Sequence, residues 1–160
     1  MSNLTRNAIM LTAAYLVFAG AIGGYLFLSG KIVKRTDANK PELVAQGKAL
    51  YETHCAACHG MNLKGEPDWE KQRADGTYPA PPQDAGGHTW QHSDRQLFDY
   101  ITLGGANLAP RGVNSNMPGF EAVLDNAQVW SVIAYVKSRW PPDTRKKQIQ
   151  TNFIGSLHRH

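Results

Sequence analysis

Only two cysteines occur in these 160 residues, at positions 55 and 58, so no disulfide framework can staple the chain. There is no second Cys pair, and no His-x3–5-His pair follows Cys58 at finger spacing, which removes a four-ligand zinc site. No stretch shows sustained period-two alternation, so a sheet-based fold and the βαβ setting of a redox dithiol both lose support. Excess positive charge is also missing where a nucleic-acid binder would need it. The net charge is +4, yet residues 41–143 hold eight Lys/Arg against twelve Asp/Glu, a net of −4. The flanks hold nine Lys/Arg against Asp37 alone, a net of +8. An acidic domain therefore lies between basic flanks, and nucleic acid is not its partner. Ser, His and carboxylate residues are scattered, with nothing to assemble a triad or a carboxylate pair.

Charge is absent altogether from Asn7 to Gly30, 24 residues that would span about 36 Å as a helix, enough to cross a hydrocarbon core. Arg6 and Ala19-Gly20-Ala21 also suit a cleaved signal peptide. The apolar run continues through Tyr25-Leu26-Phe27-Leu28, which favours an uncleaved transmembrane anchor over residues 1–30. Gly20 and Gly24 form a G-x-x-x-G that could pack on a partner helix, although Gly and Ala are common in membrane helices anyway. A basic linker, 31–40, joins this segment to the domain.

What is present is "YETHCAACHG", residues 51–60. Two thiols two residues apart can add across the two vinyl groups of a haem. A histidine directly after the second can reach the iron from the same turn of chain. Cys55, Cys58 and His59 supply that set in that order, so one covalent haem c is expected, with His59 as the proximal ligand. For the opposite face a thioether is a suitable ligand. Of four methionines, Met1 and Met10 belong to the anchor and Met61 lies too close to His59. Met117, in the turn-rich "SNMPGF", remains, with His88 and His92 as competing ligands.

Three helical patterns surround this motif. "PELVAQGKALYETHC" begins near Pro41. "SDRQLFDYITLGG" carries a Ser93/Gln96 capping box and stops at Gly104. "DNAQVWSVIAYVKSRWPP" is capped by Asp125 and Gln128 and ends at Pro141-Pro142. The expected fold class is all-α. A helix ending in Cys-x-x-Cys-His, a mid-chain helix, a Met-Pro loop and a closing aromatic-bearing helix resemble a class I cytochrome c over about residues 41–142. With its anchor the chain is similar to the membrane-bound single-haem form found in bacteria.

The resemblance implies three to five helices around one haem, the first and last crossing at a small residue flanked by aromatics. Gly47, Tyr51 and Tyr135 match those positions. It also implies a proline carbonyl accepting from the proximal imidazole, for which Pro81 and Pro82 are candidates and Pro82 is preferred. The segment 61–92 is longer than in the smallest members and is expected to cover the haem edge. Trp90 there is a candidate donor to a propionate, or plain apolar cover. Residues 143–160 read as a basic tail.

The function implied is outer-sphere electron transfer rather than catalysis. Partners would be membrane-bound redox proteins, such as a quinol-oxidising complex and a terminal oxidase or reaction centre. Family export places the haem domain on the periplasmic side of the inner membrane, against the positive-inside bias of Lys31, Lys34 and Arg35. The ten-residue linker reaches about 35 Å at most, which keeps the haem near the membrane. Two other readings stand beside the carrier: a fixed haem subunit of an oxidoreductase complex, and a haem enzyme or gas sensor with an open sixth position.

Overall fold

The computed structural model of the chain describes residues 12, 15–21 and 37–157, and the side chains among them up to 153. It divides into two compact units, Met1–Arg35 and Thr36–His160. Of the first, residues 15–21 are helical, with Tyr15, Leu16, Val17 and Phe18 all about 70% exposed. Gly20 has open space where a side chain would stand, and Gly24 lies outside the described residues. Among the described residues no helix is long and apolar enough to cross a membrane.

The second unit is helical, with one isolated parallel bridge between Thr77 and Asn114. Helix α1, Pro41–His54, starts with proline at its first turn, where a missing N–H costs nothing, and with Glu42 on the positive end of the helix dipole. It runs through Cys55 into the single turn α2, Ala56–His59, which Gly60 ends at φ 77°. A 3-10 turn spans Thr89–Gln91. Helix α3, Asp94–Leu103, carries the expected Ser93/Gln96 capping box and stops at Gly104 (φ 84°), followed by the short α4, Gly105–Leu108. Helix α5, Asn126–Ser138, has the Asp125/Gln128 box.

The core is built where α1 crosses α5. A Cβ on Gly47 would lie 1.9 Å from the Ser131 carbonyl oxygen, so the two backbones touch there and only glycine fits. One turn on, the Tyr51 and Tyr135 rings pack with centroids 5.3 Å apart. Val129, Val132, Ile133 and Val136 of α5, Leu97 and Phe98 of α3, and Trp140 complete the buried cluster. The small residue and its flanking aromatics thus meet as the resemblance implied.

The stretch from residue 143, read in the sequence as a tail, belongs instead to helix α6, Pro142–Leu157. Its inner face is polar. Gln148 is fully buried and donates to Asp94 Oδ1 (2.7 Å) and to the His92 carbonyl (3.3 Å). Asn152 Oδ1 accepts the Asp94 N–H at 2.6 Å, one of the amides that the first turn of α3 leaves without a helical partner. Lys137 of α5 closes the hub on both Asp94 oxygens at 2.7 and 2.8 Å. Three helices therefore converge on one carboxylate.

Candidate cofactor site

The end of α1 and the single turn of α2 put Cys55, Cys58 and His59 on successive faces of one short stretch. Cys55 is half-buried and Cys58 exposed; both are free thiols. Burial, reinforced by the nearby Cys58, pushes the Cys55 thiol up to about 11. Tyr51 donates its hydroxyl to the Gly60 carbonyl (3.0 Å) and Gly65 N–H bonds the His59 carbonyl (2.9 Å), fixing the turn after the motif. Burial lowers the tendency of His59 to protonate, partly offset by its hydrogen bond to Pro81 and by the charge of Glu66.

That hydrogen bond sets the imidazole's orientation. His59 Nδ1 lies 2.9 Å from the Pro81 carbonyl oxygen. A carbonyl only accepts, so Nδ1 carries the proton, and in the neutral imidazole that burial favours, Nε2 keeps its lone pair. The acceptor is thus Pro81 and not the preferred Pro82. The reason lies in the following turn. Gly87 comes so close to Pro82 that a Cβ there would sit 2.1 Å from its oxygen, and Thr89 Oγ1 donates to the same oxygen at 3.2 Å. Pro82 is committed to that turn.

Trp90 also departs from expectation. Its indole N–H donates to the Gly87 carbonyl at 3.0 Å, and Lys147 sits over its ring at 5.6 Å. The indole's single donor is used within its own turn, so it serves as cover and a brace for α6. His88 and His92 lie in an aromatic row, Trp69–His88–His92–Tyr100, with ring centroids 5.4 to 5.7 Å apart; Trp69 stacks on His88, and the other two contacts are edge-on or tilted. They do not join the cysteines: among the described residues no group of three or more His, Cys, Asp or Glu side chains could hold a metal ion.

Met117 is half-buried in a loop held against the end of α3. Its carbonyl accepts from Gly105 N–H (3.0 Å) and its own N–H donates to Ser115 Oγ (3.2 Å). Phe120 N–H bonds the Ile101 carbonyl at 2.9 Å, which returns the chain to the helix. The Gly104-Gly105 pair makes this possible. A Cβ on Gly104 would meet Gly119 N at 2.7 Å, and one on Gly105 would meet Ser115 Oγ at 2.2 Å. Gly104 reads in the sequence as a helix stop, and the doubled glycine is in addition a signal of close backbone approach.

Two thiols on one turn beside an imidazole whose Nε2 is unprotonated form a donor set that fits a covalent haem. The family model for cytochrome c matches residues 44–140, more than half of the chain. Over 117 residues the chain is 30% identical to the cbb3-type cytochrome c oxidase subunit CcoP of Azospirillum brasilense, covering 73% of this chain and 34% of that protein. It is 34% identical over 65 residues to the cytochrome bc1 complex cytochrome c subunit of Mycobacterium bovis, covering 41% of this chain and 22% of that protein. The chain thus spans about a third or less of these curated relatives, and no solved structure matches it. The helical fold, the Cys-x-x-Cys-His turn and the family match agree: the chain belongs to the cytochrome c family, as a class I c-type cytochrome with covalently bound haem c.

Proposed function

We propose that this chain is a single-haem electron carrier working between membrane-bound redox proteins. Cys55 and Cys58 would form the thioether links, and His59 through Nε2 and Met117 through its sulfur would hold the iron. The observation that carries this reading is the 2.9 Å bond from His59 Nδ1 to Pro81, because it fixes the tautomer that a proximal ligand needs. When bound, haem c supplies a one-electron ferric/ferrous couple. The chain's part would be to keep His59 and Met117 in place in both oxidation states. Supporting Met117 is its seat on the Gly104-Gly105 pair, which holds the loop without depending on the haem.

The same reading places an uncleaved single-pass anchor over residues 1–30, with the haem domain on the periplasmic side. Exposure of the apolar Tyr15, Leu16, Val17 and Phe18 supports an apolar surrounding for that helix. The acidic 41–143 region favours partners with a basic docking patch and a salt-dependent on-rate. A second reading, a fixed haem subunit of a larger complex, is favoured by relatives that carry the names of an oxidase subunit and a bc1-complex subunit.

Absorption spectra of the haem-loaded, detergent-solubilised chain, with and without carbon monoxide, test the carrier. A low-spin spectrum with the ferric Met-ligation band and no carbon monoxide shift is expected. A high-spin spectrum or ready carbon monoxide binding refutes it in favour of a haem enzyme or gas sensor. Co-purification of stoichiometric oxidoreductase subunits in mild detergent decides for the fixed subunit.

A further inference from the structure

The Pro81 carbonyl that holds His59 belongs to a segment poor in hydrogen-bond donors. Residues 79–82 read Pro-Ala-Pro-Pro, so the Ala80 N–H is their sole backbone donor. Glu66 takes it: Ala80 N–H donates to Glu66 Oε2 at 2.6 Å, while Glu66 N–H donates back to the Ala80 carbonyl at 2.9 Å. The other carboxylate oxygen, Oε1, accepts from Arg73 Nη2 at 2.7 Å. Downstream of the prolines, the next donors are Gln83 N–H and Asp84 N–H, both on the Leu63 carbonyl at 2.8 and 3.2 Å. Leu63 is buried with φ 63°, a left-handed conformation that this pair of bonds helps hold. Gly65 lets the two strands of chain meet, since a Cβ there would lie 2.5 Å from the Ala80 oxygen. The Pro81 carbonyl is therefore suspended between two clamps, and Glu66 is the charged one.

We propose that Glu66, oriented by Arg73, is a positioning residue that sets the reduction potential of the haem by fixing the Pro81 carbonyl against His59 and by adding a negative charge beside that ligand. It rests on the assignment of His59 as proximal ligand. A firmly held acceptor increases the imidazole's electron donation, and a nearby carboxylate favours the extra positive charge of ferric iron. Both effects lower the potential. The side chains of Glu66 and Arg73 are 38% and 40% exposed, so water screens the charge and the expected change is modest.

The test is a spectroelectrochemical titration of the full haem-loaded chain as wild type, E66Q and R73Q. The glutamine at 66 keeps an oxygen for the Ala80 N–H while removing the charge. Its ferric-to-ferrous ratio at fixed potential is expected to fall about threefold, an upward shift of ~28 mV at 59 mV per decade for one electron. R73Q leaves the carboxylate uncompensated and is expected to shift the potential downward. Opposite signs support the proposal. Two shifts of the same sign, or none in either variant, overturn it. Should E66Q fail to load haem, R73Q decides alone by its direction. The wild-type spectrum separates the two layers: loss of His59 ligation there defeats the assignment itself, whereas a normal spectrum with unmoved variants defeats only the role of Glu66.

Discussion

Gly47→Ala is the sharpest test of how this domain is held together. The added Cβ would stand 1.9 Å from the Ser131 oxygen, 2.4 Å from its carbonyl carbon and 3.0 Å from Tyr135 Cβ. Two of those three atoms are backbone, so no rotamer change relieves the clash. An ordinary carbon–oxygen contact needs roughly 3.3 Å, so α1 and α5 must part by about 1.4 Å. A gap of that size forfeits half or more of the dispersion energy between the facing surfaces. Those surfaces include the fully buried Tyr51 and Val129. Overpacking of this kind costs about 3 kcal/mol or more, against which alanine's better helix propensity returns only about 1 kcal/mol. The net loss of about 2 kcal/mol or more should lower Tm by roughly 8 °C or more. Thermal unfolding of the haem-loaded protein, followed by circular dichroism, reads it directly. A Tm that rises, as propensity alone demands, would refute the close crossing.

The remaining predictions concern the site and the polar hub. Met117→Ala should turn the low-spin spectrum high-spin and let carbon monoxide bind near stoichiometrically; an unchanged spectrum would hand the sixth position to another side chain. Asp94→Asn removes the charge on which Lys137 and Gln148 converge and should cost about 2 kcal/mol in urea unfolding, whereas a loss below about 0.5 kcal/mol would show the hub to be incidental. Burial first, and the neighbouring His88 second, lower the protonation tendency of His92. The unfolded chain therefore takes up that proton more readily than the folded one below pH 6.5, the ordinary histidine value. Stability from this group is full above that pH and declines below it, with a slope of at most ~1.4 kcal/mol per pH unit. His92→Gln should flatten that decline, and an equally steep profile in the variant would place its origin elsewhere.

Much of this was legible in the sequence because the signals were local. Both capping boxes, the proline start of α1 and the glycine stop of α3 depend on residues within four positions of one another, and each lies where the pattern put it. The Cys-x-x-Cys-His turn is local too. What escaped reading depends on contacts between distant segments or on an unusual inner face. Pro81 and Pro82 are chemically identical acceptors, and only the approach of Gly87 and Thr89 decides between them. Helix α6 reads as a tail because its inner face consists of the buried Gln148 and the half-buried Asn152, which leave no apolar stripe at helical spacing. Its outward side instead carries Ile149 and Phe153, each about 65% exposed, which inverts the usual amphipathic signal. Glu66 looked like one more surface acid, since its value lies in pairing with an alanine fourteen residues away.

The two candidate axial residues are held by unlike means, and the difference bears on how the site can vary. His59 ends a helix, and its orientation depends on a carbonyl from a segment whose one N–H is gripped by Glu66. Met117 sits in a loop fixed by backbone bonds and by two glycines that admit it against α3. The α1–α5 crossing at the centre of the buried cluster has Cys55 packed at its edge but neither Pro81 nor Met117. Stability and ligand geometry thus reside largely in different parts of the chain. On the proposed ligation, substitutions at Glu66, Arg73 or Ser115 should therefore retune the iron with little loss of fold, whereas changes at Gly47 or Asp94 should threaten it.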